Sequence, residues 1–232
     1  MMSLLEASIK RHSRLNPKLW RGDILKPDVR ESLLRFGRAW QGYAKIPEEA
    51  VHDVLFVGGN ASYYYGEDSD IDVHLLIDKA SLGHGEIIDE FLDDRKSLWT
   101  MKHNVTVRGY PLEPYAQDLS ESVPQGQGVY SLIHETWIDR PVLTKYDPDH
   151  DAQLARKVVH WKRTIDKAIE DGGAEHLSML KEKLKDMRTR AIKSGGELSQ
   201  NNLVFKELRN SGYLDRLKEK KRAEVDKELS LK

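Results

Sequence analysis

Two apolar runs joined by a glycine pair and an acidic turn constrain this chain more than any other feature. Val54-Leu55-Phe56-Val57 runs into Gly58-Gly59, and after ten intervening residues Asp70-Ile71-Asp72 opens a second run, Val73 to Ile77. Short apolar runs bounded by turn residues predict buried strands. Side chains alternate faces along a strand, so Asp70 and Asp72 share one face roughly 6.5–7 Å apart, while Ile71 and Val73 face a core. Paired carboxylates repel unless a cation lies between them, and hard oxygen donors select Mg²⁺ or Mn²⁺. A Gly-Gly turn exposes backbone N–H groups, which suits a phosphate at a helix start. The combination predicts a site for a metal-chelated triphosphate.

The arrangement resembles the nucleotidyltransferases of the DNA polymerase beta superfamily. Their pattern is an apolar strand, Gly-Gly or Gly-Ser, about ten residues, then Asp-x-Asp or Asp-x-Glu on the next strand. The local text is similar to that of small proteins carried by tailed bacteriophages: Gly58-Gly59-Asn60-Ala61-Ser62-Tyr63, then Ser69-Asp70-Ile71-Asp72-Val73-His74-Leu75. Leu15 to Trp20, Asn202 to Lys206 and Asn210 to Leu214 resemble that branch too. The chain departs from the pattern at Gly59, where the superfamily often has a serine. The resemblance implies that Asp70 and Asp72 bind the catalytic metal, and that Gly58, Gly59, Asn60 and Ser69 contact the nucleotide. It also implies a third metal-binding carboxylate on a later strand, in the order acidic-apolar-Tyr-apolar-Gln. Leu112-Glu113-Pro114-Tyr115-Ala116-Gln117 supplies Glu113, with a proline where an apolar strand residue is usual.

The remaining pattern predicts an α+β protein: a small mixed sheet with flanking helices over residues 1–148, then an all-helical domain over 149–232 closing the cleft. Val29, Leu33, Phe36, Trp40 and Tyr43 recur at helical spacing after Pro27. Ile87, Ile88, Phe91, Leu92, Leu98 and Trp99 predict one buried face of a helix over 84–101. Residues 105–107 and 112–116 read as a strand interrupted by Gly109 and Pro111, demoted to an edge or bulge by Pro114. Gly126 and Gly128 mark a loop before a hairpin over 129–138. Beyond 148, Leu154, Val158, Trp161, Ile165 and Ile169 line one helix, and Leu177, Leu180, Leu184, Met187 and Ala191 the next. Ser199 is the expected N-cap of a third.

Composition narrows the setting. The 232 residues contain no cysteine, which excludes disulfides and thiolate zinc sites. A polar start and the lack of any apolar run near 18 residues predict a soluble cytoplasmic protein, in the host cytoplasm if phage-encoded. Net charge is −1, divided as −7 over residues 1–150 and +6 over 151–232. Lys162, Arg163, Arg188, Lys206 and Arg209 are the basic candidates for a triphosphate or acceptor. Tyr63, Tyr64 and Tyr65, on an early helix turn, read as core or cover before they read as a base-stacking platform. His74 shares the aspartate face, either orienting Asp72 or packed as a structural histidine.

The expected reaction moves NMP from an NTP to an acceptor hydroxyl, with loss of pyrophosphate. An RNA end, a protein hydroxyl and a small molecule all remain open as acceptor, and no membrane partner is expected. The alternatives are an alarmone-type pyrophosphate transfer and a non-catalytic nucleotide- or partner-binding phage protein on the same fold.

Overall fold

The computed structural model describes residues 8–67, 69–83, 85–121, 127–196 and 198–230. The chain divides into two compact units. One is Arg11–Lys145; the other runs from Tyr146 to the last described residue and takes in residues 8–10. Gly126 lies outside the described residues.

The first unit is built on a sheet of β1 (Val51–Val57), β2 (Ile71–Ile77), β3 (Thr106–Val107), β4 (Tyr110–Asp118), β5 (Val129–Ser131) and β6 (Thr136–Asp139). The strand order is β6-β5-β1-β2-β4-β3. β1 and β2 pair antiparallel, with Val57 opposite Asp72, whereas β2 and β4 pair parallel, with Asp72 opposite Glu113. The sheet is therefore mixed. Ile71, Val73, Leu75 and Ile77 are all at most 1 % exposed, while Asp72, His74 and Leu76 between them are half-buried. That alternation is the sequence pattern made physical: one face of β2 is core and the other carries the polar residues.

α1 (Pro27–Ala44) buries Val29, Leu33, Phe36 and Trp40, as its spacing predicts. α2 (Gly85–Lys102) departs from its expected apolar face. Leu92 and Trp99 are buried, but Ile87, Phe91 and Leu98 are exposed. Trp99 sets this rotation by packing edge-on against Phe36, Trp40 and Tyr43 of α1, an aromatic contact that helical spacing alone does not choose. β3 and β4 form a hairpin through Arg108 and Gly109, both with positive φ. Beyond the two residues of β3, β4 borders no strand on its outer side among the described residues. Pro114 sits in that stretch, where a missing ladder donor costs little.

The turn after β1 is not the start of a regular helix. Gly59–Ala61 makes a single 3-10 turn, and Tyr64 and Tyr65 are extended and 7 % exposed. The tyrosines are cover, but on extended chain rather than on a helix turn.

The second unit holds α3 (Ala152–Asp171), α4 (Ala174–Gly195), α5 (Gln200–Asn210) and α6 (Tyr213–Leu229). Asp151 caps α3 by accepting from the N–H groups of Gln153 and Leu154. Ser199 occupies the N-cap position of α5 without a side-chain capping bond. Leu154, Val158, Ile165, Leu177, Leu180, Leu184 and Ala191 are buried, while Trp161, Ile169 and Met187 are half-buried. Ser8 donates its backbone N–H and its hydroxyl to the buried Glu207 carboxylate, which anchors the early chain to α5. No helix among the described residues is long and apolar enough to cross a membrane.

Candidate metal and nucleotide site

Asp70, Asp72 and Glu113 converge, with one carboxylate oxygen from each lying within 4.8 Å of the others. Asp70 sits immediately before β2, Asp72 is the second residue of that strand, and Glu113 is the directly paired residue on β4. Parallel partners share a face, so the 72–113 register delivers the third carboxylate to the side where Asp72 points. All three are half-buried. The oxygen separation is close to the ~4 Å span of opposite ligands around Mg²⁺, and carboxylates are the donors such ions prefer. These residues fit a hard divalent cation.

Gly58 is tied to this cluster rather than to a helix start. It follows the Val57–Asp72 pair, with φ +82° and ψ −163°. A Cβ placed there would fall on the Asp72 carboxylate, 2.9 Å from Cγ. The backbone approaches Asp72 so closely that only glycine fits. Gly59 has no positive φ, and a Cβ on it would meet the Tyr64 carbonyl oxygen at 3.2 Å and Ser69 Oγ at 3.5 Å. The cradle at a helix N-terminus expected for phosphate is replaced by one 3-10 turn, too short to carry an appreciable dipole.

Asn60 and Ser69, both expected at the nucleotide, are engaged within the protein. Asn60 is 0 % exposed. Its Nδ2 donates to the carbonyls of Ser69 and Asp70 at 3.1 and 2.9 Å, and its Oδ1 accepts from Asn16 Nδ2 at 2.8 Å. The Trp20 indole donates to the Asn60 carbonyl. Asn60 therefore pins the backbone that presents Asp70. Ser69 Oγ accepts from the Gly66 N–H at 2.8 Å, which closes the acidic turn. Asn60→Ala should leave two half-buried carbonyls without their donor and lower stability by about 1–3 kcal/mol. Urea denaturation with an unchanged midpoint would refute that role.

His74 is the next residue along the same face. Its Nδ1 is 2.9 Å from Gln117 Oε1, and its ring lies 4.9 Å from that of Tyr115. Burial pushes its pKa down to about 4; the Gln117 bond and Glu113 oppose this, and nearby Lys96 reinforces it. The imidazole is neutral at pH 7. Tyr115 donates to Glu121, and burial, with the negative Glu121 beside it, pushes the phenol up to about 12. His74 thus belongs to a packed polar layer beneath the carboxylates.

One residue at the site escaped the sequence reading. Lys96 of α2 places Nζ 2.6 Å from Glu113 Oε1. Only its place between Leu92 and Trp99, on the flank of the buried seam, hinted at it. The basic residues singled out from the sequence all fall in the helical unit, where Lys162 lies over the Tyr213 ring and Arg188 over Phe205.

No family model and no curated protein matches the chain. Among solved structures, a STING-associated CdnE c-di-GMP synthase from Capnocytophaga granulosa is a distant match. It is 14 % identical, covering 85 % of this chain and 67 % of that one, with a TM-score of 0.24.

Proposed function

We propose that this protein is a metal-dependent nucleotidyltransferase that moves NMP from an NTP to an acceptor hydroxyl and releases pyrophosphate. The observation that carries the reading is the convergence of Asp70, Asp72 and Glu113 from two neighbouring strands, with oxygens within 4.8 Å. The resemblance of the Gly58-Gly59 and Asp70-Ile71-Asp72 text to the polymerase beta superfamily supports it. Asp70 and Asp72 would hold the divalent cation, Mg²⁺ or Mn²⁺, that arrives with the nucleotide, and Glu113 would join them on a second one at the acceptor hydroxyl, where the charge of the phosphates and of the entering and leaving oxygens would be neutralised.

The chain's own groups do the rest. Asn60 fixes the backbone under Asp70, and Gly58 admits the Asp72 carboxylate to its place. The Gly58-Gly59 turn lies beside the carboxylates, where bare backbone suits the close approach of a phosphate. The acceptor oxygen forms a bond to the α-phosphorus as the bond to the bridging oxygen breaks. Pyrophosphate leaves with that electron pair, and the hydroxyl proton passes to water. Positioning and electrostatics supply most of the acceleration, because such transfers need little covalent help.

Glu113→Gln separates catalysis from binding. The change keeps the size and removes the charge, so NTP affinity should fall little, whereas transfer should drop by ~10²–10⁴. The measurement is Mg²⁺-dependent pyrophosphate release across the four NTPs, with RNA, protein and small-molecule hydroxyls offered as acceptors. Unchanged circular dichroism and melting exclude misfolding. Wild-type turnover by the variant would remove Glu113 from the mechanism, and silence of the wild type with every acceptor would favour the non-catalytic reading.

A further inference from the structure

Three carboxylates within 4.8 Å of one another repel, and the folded chain must offset that repulsion when no cation is bound. Lys96 is placed to do so. Its ammonium lies 2.6 Å from Glu113 Oε1, and its side chain and that of Glu113 are 28 % and 35 % exposed. Leu92 and Trp99, one turn to either side of Lys96 on α2, are buried at 5 % and 7 % exposure, so the backbone that carries the lysine is fixed. The ammonium also lies 5.5 Å from the centroid of the Tyr115 ring, a second place where a cation is stabilised.

Resting on the nucleotidyltransferase reading, we propose that Lys96 is an internal counter-ion that competes with a divalent cation for Glu113. It holds the carboxylate in place while the cation is away and withdraws over Tyr115 when the cation binds. Magnitude decides that the exchange can happen. A half-exposed ion pair contributes up to about 1 kcal/mol, well below the affinity of a divalent cation for a site of three carboxylates. A deeply buried pair would not yield so readily. The residue type fits as well. Lysine carries a compact charge on a flexible stem, whereas an arginine fork would grip both carboxylate oxygens and resist displacement.

Two substitutions at this one position therefore act in opposite directions. Lys96→Met removes the competitor and should lower the Mn²⁺ concentration that half-fills the Glu113-dependent site by ~5-fold. Lys96→Arg should raise it several-fold, although the charge is kept. Lys96→Met should also melt below wild type in EDTA and regain its stability in Mn²⁺, because the cation restores the missing charge. The experiment is a Mn²⁺ titration followed by electron paramagnetic resonance, on the full chain with a non-hydrolysable NTP analogue. Lys96→Gln stands in if the methionine variant does not fold. Asp70→Asn with Asp72→Asn serves as the control for the site itself. The ordering methionine below wild type below arginine supports the proposal. Equal midpoints, or a shift of both variants in the same direction, overturns it while the parent reading stands. Wild-type Mn²⁺ binding by the double aspartate variant overturns the parent reading instead.

Discussion

Asp70→Asn combined with Asp72→Asn should abolish the rise in melting temperature that Mg²⁺ or Mn²⁺ gives with NTP, and should stop transfer. Both side chains keep their size, so the sheet loses charge and not packing. A ligand at a hundred times its dissociation constant stabilises the folded state by about 2.7 kcal/mol, and that entire shift should vanish. Loss of the charge that holds the cation removes several kcal/mol from the transition state, so turnover should fall by ~10³ or more. The protein without cation should melt at or above the wild-type temperature, because repulsion within the carboxylate cluster is relieved. Scanning fluorimetry with and without cation makes the comparison directly. A variant that retains the full shift would place the cation elsewhere.

Gly58→Ala should be nearly as damaging to cation binding, although it adds one methyl group and removes no ligand. The backbone there has φ +82° and ψ −163°, a region open mainly to glycine that costs another residue about 1–3 kcal/mol. The new Cβ would also fall on the Asp72 carboxylate, which must turn away. Gly59→Ala is the control, since its Cβ meets the Tyr64 carbonyl at 3.2 Å with no positive φ to disturb, and it should cost far less. A double-mutant cycle tests the cause. In an Asp72→Ala background the clash is gone, so Gly58→Ala should cost less than it does alone. Additive losses of stability would mean that the damage at Gly58 is backbone strain without Asp72.

Much of this was legible in the sequence because the relevant periods are short. The alternation across Ile71 to Ile77 has a period of two, so the aspartates and the core residues could be sorted onto opposite faces without knowledge of the neighbouring strands. Glu113 was reachable through a resemblance of order, Glu-x-Tyr-x-Gln, and its pairing with Asp72 belongs to the sheet alone. What stayed hidden was set by neighbours distant in sequence. Asn60 looks like a surface turn residue, yet Asn16 and Trp20 bury it and turn it into a clamp. The face that α2 buries follows from where Trp99 meets the aromatics of α1, and the position of Lys96 follows from that rotation. A second demand on Gly58 was also hidden, because the Asp72 carboxylate occupies the space a side chain would need, and only coordinates reveal such an approach.

The parallel pairing of β2 with β4 also bears on the order in which the carboxylates can assemble. Asp72 meets Val57 across a short antiparallel connection, whereas it meets Glu113 only after the chain has run through α2 and the β3–β4 hairpin. Loop closure grows costlier with the logarithm of length, so the roughly 40-residue link costs about 1 kcal/mol more to close than the shorter one. Contacts so distant in sequence are slow to form. A partly folded chain thus presents an aspartate pair without its third partner, and on the proposed function cation capture by all three would be a late event. A divalent ion would then act as a seal on a completed sheet and not as a template for building it.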